Sequence, residues 1–204
     1  MKIIGLTGGS GAGKSLVCEA FLKFNIKSID TDKISREVVA DKSSECLREL
    51  AENFSRDILK ENGELDRKKL ADIAFSSKEN HAELNKITHK YILNECKGII
   101  LDTQNSGAKS VIIDAPMLFE SGFDKNCDVI ISVIADSDKR IKRITKRDSI
   151  TKEQAELRIK NQKSDGFFIE NSDFVIYNNS SYDDIYIQVS KINNIIFEEN
   201  QGNE

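Results

Sequence analysis

Gly8-Gly9-Ser10-Gly11-Ala12-Gly13-Lys14-Ser15 is the stretch that decides how this chain is read. A short apolar run, Ile3-Ile4-Gly5-Leu6, precedes it, and Leu16-Val17-Cys18-Glu19-Ala20-Phe21-Leu22 follows it with helical periodicity. Strand, glycine loop and helix in that order fill every fixed position of G-x-x-x-x-G-K-[ST]. A polyphosphate at a helix N-terminus needs inward-facing backbone N–H groups, and side chains on the loop would block its approach. Gly8, Gly11 and Gly13 remove that obstruction, so the backbone from Gly9, Ser10 and Gly11 through Ala12 and Gly13 is expected to cradle phosphates. Lys14 then brings a positive charge to the β- and γ-phosphates, and the Ser15 hydroxyl is a ligand for Mg²⁺. The spacing G-x-G-x-x-G of a dinucleotide loop does not occur. The segment reads as a nucleoside triphosphate site.

Composition narrows the rest. A chain of 204 residues can build one full core with an inserted subdomain, but not comfortably two independent domains. Charged residues make up 31% of it and the formal net charge is −4, which argues against a surface built to coat nucleic acid. No apolar run approaches the ~18 residues of a membrane span, so neither nucleic acid nor membrane is expected as a partner. The N-terminus runs straight into a strand and the glycine loop, which predicts a cytoplasmic protein without a signal peptide. A monomer is expected. The four cysteines, Cys18, Cys46, Cys96 and Cys127, are scattered without a CxxC pair and suggest reduced thiols, with Cys18 and Cys96 in helical patterns as packing residues.

Along the chain, Ile26-Lys27-Ser28-Ile29-Asp30-Thr31-Asp32 reads as a second strand ending in two acids, with Asp30 and Asp32 on one side of an extended segment. In open α/β sheets ligands bind beyond the carboxyl ends of the strands, so a carboxylate there can take the proton of an acceptor hydroxyl or hold Mg²⁺ through water. The plainer reading is that Asp32 caps a helix starting at Lys33. From Ile34 to about Thr103 the pattern is almost wholly helical, with Leu47, Leu50, Ala51 and Phe54 on one face, Asp66 as the N-cap of a helix from Arg67, and a longer helix from Lys78. Such a length between strands 2 and 3 exceeds a simple crossover and predicts a helical insert for the second substrate. The insert carries the two histidines, His81 and His89, whose spacing brings no third metal ligand.

Lys109 to Asp114 is an apolar strand with a terminal acid. Asp114 can approach the Mg²⁺ or its waters, or it can cap the turn at Ala115-Pro116. Met117-Leu118-Phe119 offers an apolar wall, and Asp128 to Ile134 is apolar enough for a buried parallel strand. The most basic part follows: Lys139, Arg140, Lys142, Arg143, Lys146 and Arg147. A basic run on a helix is usually a solvated face, but after strand 4 of such a protein a lid needs cations for the charge on a transferred phosphoryl group. Arg143 and Arg147 share a face. Thr151 with Gln154 has the form of a capping box and opens a further helix. Phe174 to Asn179 is a fifth strand, and a helix from about Tyr182 to Phe197 presents Ile185, Val189, Ile192 and Ile196 to the sheet. The tail to Glu204 is polar and expected to fray.

Taken together and in order, these segments resemble the dephospho-CoA kinase family nearly end to end. Gly5 to Ser15 is similar to that family's GLTGGIGSGKS, Ile29 to Val39 to its IDADxIAREVV, Gly63 to Arg67 with Leu70 to its DGxLDRxxL, and Ala115 to Glu120 to its xPLLFE. Arg147-Asp148, Glu153-Gln154-Ala155, Arg158-Ile159 and Gln162 follow its lid pattern. The resemblance implies ATP-dependent phosphorylation of the ribose 3′-hydroxyl of dephospho-CoA. It makes Asp32 the base or hydroxyl-orienting group, with Lys14, Arg143 and Arg147 as the catalytic cations. It sets Thr7, Asp32, Arg36, His89, Pro116 and Leu118 with the acceptor substrate, and Asn178 and Asn179 near the adenine. The sequence departs from the family at Lys90, where a proline usually follows the histidine, and at Tyr177, where an aspartate is usual. It also departs at Asp165 and Phe168, where the pattern QxxRxxRL has its arginines. The lid's phosphate contacts are then left to Arg140, Arg143, Arg147 or Lys163.

The expected fold is α/β: a P-loop three-layer core with a five-stranded parallel sheet over 1–33, 108–136 and 166–198. A helical substrate subdomain is expected over 34–107 and a lid over 137–165. The alternative is another small-molecule P-loop kinase of shikimate, gluconate or nucleoside monophosphate type. Shikimate kinases resemble one another in a later Gly-Gly-Gly segment, and no adjacent glycines follow Gly9 here. A GTPase-like switch would want N/T-K-x-D; Thr145-Lys146-Arg147-Asp148 fits the letters, but in a basic helical run and not at a strand end.

Overall fold

The structure, a computed structural model, describes residues 1–198, so the tail expected to fray, 199–204, lies outside the described residues. Five strands, β1 (Lys2–Thr7), β2 (Lys27–Asp30), β3 (Ser110–Asp114), β4 (Val129–Ile134) and β5 (Phe174–Tyr177), form one parallel sheet in the order β2-β3-β1-β4-β5. Leu6 of β1 stands beside Asp114 on one side and Ile131 on the other, and Ile134 pairs with Tyr177 at the β4–β5 edge. The central strands are buried along most of their length because both sheet faces are covered. The two edge strands each bury a single residue, Ile29 in β2 and Ile176 in β5. Strand order reverses around β1, and in such sheets the reversal opens the crevice that takes the ligand. The glycine loop leaves β1 at that point.

The chain forms two compact units, Met1–Ile29 with Gln104–Glu204, and Asp30–Thr103. In the first, α1 (Lys14–Leu22) turns Val17, Ala20 and Phe21 into a core with Ile4, Leu6, Ile131 and Val133. The expected stripe of α9 (Tyr182–Glu198), Ile185, Val189, Ile192 and Ile196, closes the same core. The basic run forms α6 (Ser137–Asp148), followed by α7 (Lys152–Lys160) and the short α8 (Asp165–Glu170). Ile141 and Ile144 of α6 pack on Ala155 of α7. The capping box of α7 is present in both directions, with Gln154 N donating to Thr151 Oγ1 at 3.3 Å and Thr151 N donating to Gln154 Oε1 at 3.0 Å. Thr145 to Asp148 lies inside α6, so the guanine-motif letters carry no recognition loop.

The second unit has its own core. Helices α2 (Thr31–Glu37), α3 (Glu45–Asn53) and α4 (Arg67–Ala74) and most of α5 (Lys78–Asn105) supply it, and it holds Val39, Cys46, Leu50, Ala51, Ile58, Leu70, Ala74 and Ile87. Asp66 caps α4 as expected, accepting from Lys68 N and Lys69 N at 3.1 Å each. No described helix is long and apolar enough to cross a membrane.

Candidate active site

The glycine loop closes on the first turn of α1. Ala12 N donates to Gly9 O at 3.0 Å and Leu16 N to Gly13 O at 3.1 Å. Gly13 is the N-cap, with φ +97°, and no side chain caps the helix. The free N–H groups of that turn, with their share of the helix dipole, suit an anion. A Cβ on Gly13 would lie 2.0 Å from Asn178 Nδ2. The glycine is therefore required by the protein's own packing as well as by access for phosphate.

Asn178 is 1% exposed, and both ends of its amide are engaged. Nδ2 donates to Ala12 O at 2.7 Å, and Oδ1 accepts from Arg143 Nη2 at 3.1 Å. Arg143 also donates to Asn178 O, Gly11 O and Ala12 O at 3.1 to 3.2 Å. Asn179 Oδ1 accepts from Asp136 N at 2.8 Å, and its carbonyl accepts from Lys139. These two asparagines brace the loop and the start of α6. Arg147 donates to Asp148 through Nε at 2.7 Å and Nη2 at 2.9 Å, and Arg158 joins the same carboxylate. Lys163 lies over the Phe167 ring, 4.4 Å from its centroid.

On the inner side, Lys14 Nζ stands 3.9 Å from Asp114 Oδ1, both side chains being largely buried. The Cys18 thiol donates to Asp114 Oδ2 at 3.8 Å. Burial, and then the Asp114 charge, push that thiol up to about 12, so it stays protonated and serves as a donor. The helical pattern alone reads Cys18 as a packing residue; the signal for its contact is its place one helical turn after Lys14 on the same face of α1. Thr7 is fully buried and donates to Pro116 O at 3.5 Å. Leu118 is also fully buried, and a Cβ on Gly5 would come 2.9 Å from it, so it packs beneath β1.

The second unit brings Asp32 and Arg36 onto one face of α2, one turn apart and both exposed. Here the structure corrects the sequence reading. The strand ends at Asp30, whose carboxylate accepts from Lys33 N at 3.0 Å and caps α2, so Asp32 lies in the first helical turn. Asp30 and Asp32 do not alternate along an extended segment, and Asp32 is not the cap. An aspartate whose carboxylate accepts from the amide three residues on is a helix N-cap and so a stop for the strand, and it wins over the short apolar run before it. His89 lies half-buried on α5; His81, earlier on that helix, packs against Phe75 with centroids 5.1 Å apart.

At the two positions departing from the lid pattern, Asp165 pairs with Arg140 at 3.2 Å, and Phe168 joins Phe119 and Phe167 in an aromatic cluster. Arg140, which the sequence offers as one cation of a basic run and as a candidate for the lid's phosphate contacts, is buried and bonded to the loop backbone.

A parallel sheet reversing at β1, a glycine loop on a helix N-terminus and a lysine beside a strand-end carboxylate define a P-loop nucleotide-dependent phosphotransferase core. The dephospho-CoA kinase family matches residues 2–184. A dephospho-CoA kinase of Fusobacterium nucleatum is 41% identical over 191 residues, covering 94% of this chain and 96% of that protein. Among solved structures, a dephospho-CoA kinase from Campylobacter jejuni aligns with TM-score 0.68 and 29% identity over 98% of this chain and 100% of that one. A shikimate kinase from Acinetobacter baumannii aligns at TM-score 0.56 and 16% identity over 98% and 94%, a likeness of fold alone. The chain belongs to the dephospho-CoA kinase family.

Proposed function

We propose that this chain transfers the γ-phosphoryl group of ATP to the ribose 3′-hydroxyl of dephospho-CoA, giving coenzyme A and ADP. The observation that carries the reading is the family match over residues 2–184, which runs through the glycine loop, Asp32, His89 and the basic helix alike. Against it, a shikimate-type acceptor has only the shared fold in its favour.

In the reaction a bond forms from the ribose oxygen to the γ-phosphorus and the bond to the β–γ bridging oxygen breaks. The hydroxyl proton passes to Asp32. A carboxylate is a weak base at neutral pH, but this chemistry depends mainly on positioning and charge stabilisation, so receiving the proton late suffices. The backbone from Gly9 to Ser15 and the Lys14 ammonium hold the β- and γ-phosphates. Arg143 and Arg147 stabilise the transferring group, and Asn178 and Asn179 keep the loop and the adenine side in order. Arg36, His89 and Pro116 serve the acceptor, while Thr7 and Leu118, both fully buried, act from beneath as packing around β1. By this reading 34–107 is the substrate subdomain and 137–165 the lid, and closure excludes water as a competing acceptor.

Mg²⁺ fits the residues present. Among the described residues no cluster of three acidic, histidine or cysteine side chains could hold a metal alone. That suits an ion held by one hydroxyl and one carboxylate with phosphate oxygens and water completing its shell. Ser15 and Asp114 would be those two groups. When bound, the ion neutralises phosphate charge. The enzyme acts as a cytoplasmic monomer.

The test is a coupled ADP-release assay with Mg-ATP, offering dephospho-CoA, shikimate, gluconate, AMP and CMP in parallel. Turnover is expected with dephospho-CoA alone. Asp32→Asn is expected to cut kcat by ~10²-fold or more while ATP binding persists, within the range a positioned acid–base group contributes. Turnover with another acceptor would discard the assignment of substrate, and full activity of the variant would discard the role of Asp32.

A further inference from the structure

The tip of the glycine loop is gripped by residues to which the motif gives no role. Ser10 N donates to Gln162 Oε1 at 2.8 Å, and Ser10 O accepts from Arg140 Nε at 2.9 Å. The same Gln162 oxygen accepts from Arg140 Nη2 at 3.1 Å, while Nη1 reaches Asp165 Oδ1 at 3.2 Å. Both polar groups of one loop residue are thus held by two side chains that also hold each other. A Cβ on Gly9 would lie 2.2 Å from Arg140 Nη2, so the guanidinium rests directly on the loop backbone.

Arg140 is 4% exposed. A guanidinium that deep is costly unless paired and hydrogen-bonded. Burial lowers its pKa, and the facing Asp165 carboxylate opposes that shift. Gln162 supplies an acceptor and Ser10 O another. The three side chains come from three places, Arg140 from α6, Gln162 from the segment after α7, and Asp165 from the first position of α8. That Asp165 stands where the lid pattern has an arginine now has a physical sense. The guanidinium arrives from α6 instead, and position 165 must carry the counter-charge.

We propose that Arg140, Gln162 and Asp165 are positioning residues for the nucleotide, fixing the two peptide planes that flank Ser10 so that the loop is set before ATP arrives. Ser10 N–H belongs to the Gly9–Ser10 peptide and Ser10 C=O to the Ser10–Gly11 peptide, so Gln162 and Arg140 hold the two successive planar units that flank its Cα, and the loop residues after them start from a fixed plane. Ordering that precedes binding is not charged against affinity. The proposal rests on the reading of the loop as an ATP site.

Two readouts separate the two. Hydrogen–deuterium exchange of the loop peptide without nucleotide reports the clamp alone; titration with a fluorescent N-methylanthraniloyl ATP reports its consequence. Gln162 is exposed, so Gln162→Leu removes the acceptor with little threat to folding. It is expected to speed loop exchange and weaken nucleotide binding about tenfold, the effect of losing roughly one hydrogen bond's contribution. The KM for acceptor and the kcat at saturating ATP stay within about twofold of the parent, and Gln162→Glu restores binding because a carboxylate oxygen accepts from both donors. Asp165→Asn should follow Gln162→Leu. A second pair of changes, Arg140→Asp with Asp165→Arg, keeps opposite charges but removes the donor to Ser10 O, so thermal stability returns further than affinity. Unchanged exchange and affinity in Gln162→Leu would overturn the clamp. Parent protein that binds no ATP would overturn the ATP reading, and the proposed role with it, whatever exchange shows.

Discussion

Asn178 shows how a single residue ties the far end of the sheet to the catalytic loop. Its Nδ2 donates to Ala12 O and its Oδ1 accepts a hydrogen bond from Arg143, at a buried position. Asn178→Ala leaves that carbonyl with one donor fewer and removes one of Arg143's acceptors. Losing partners of buried polar groups costs about 1–3 kcal/mol. We expect urea unfolding to show a loss of that size with an unchanged m-value, together with weaker ATP binding; a variant as stable as the parent would mean that the loop holds itself. The contrast with the motif is instructive. Gly8 to Ser15 was legible because its residues are adjacent and their chemistry is local. The grip of Arg140 and Gln162 on Ser10 was not, since Ser10 and Gln162 are separated by 152 positions and nothing local marks a glutamine as the partner of a loop amide.

At the scale of elements, local rules served where no competing cap intervened. The stripe on α9, the Asp66 cap and the Thr151–Gln154 box all formed as read, because each depends on residues within a turn or two. The end of β2 was misjudged because Asp30 captures the Lys33 amide and starts a helix early. Edge strand β5 is sealed by a device that periodicity cannot reveal: Gln188 accepts from Tyr177 N at 2.9 Å and donates to Tyr177 O at 3.0 Å, imitating a neighbouring strand. Between α6 and α7, Asp148 gathers Arg147 and Arg158. Their hydrogen bonds hold its carboxyl well below the usual range. A carboxylate with a depressed folded pKa adds stability that is fully present above its unfolded value, about 3.9, and is lost as pH falls through the lower folded value. Melting temperatures of the parent and of Asp148→Asn should therefore differ at pH 7 and converge as pH falls below about 3.9. The site is exposed to solvent, so the gap should also shrink in high salt. A gap that ignores pH would assign the difference to something other than the charge.

For the whole molecule, each of the two units has an apolar core of its own, and the phosphate loop with Lys14 belongs to the first. A ligand that binds only folded protein raises stability by mass action, about 2.7 kcal/mol at one hundred times its Kd. For a chain of this size each kcal/mol moves the melting temperature by about 2–4 °C, so Mg-ATP at that excess should raise it by about 5–11 °C. By the proposed reading Lys14 is the residue on which this shift turns, as the loop's own charge for the phosphates; it stands 3.9 Å from Asp114. Lys14→Met leaves Asp114 without that cation but keeps the Cys18 thiol as a donor, so the variant should fold and melt within a few degrees of the parent without nucleotide. Calorimetry with Mg-ATP should then move the parent alone. If EDTA is added beside ATP, the parent's shift should fall, because the phosphate charge would no longer be neutralised by the ion proposed for Ser15 and Asp114. Equal shifts in parent and variant would take the nucleotide away from the loop and undo the reading from which the rest follows. A parent shift that survives EDTA in full would instead leave the loop as the nucleotide site and remove the metal from nucleotide binding.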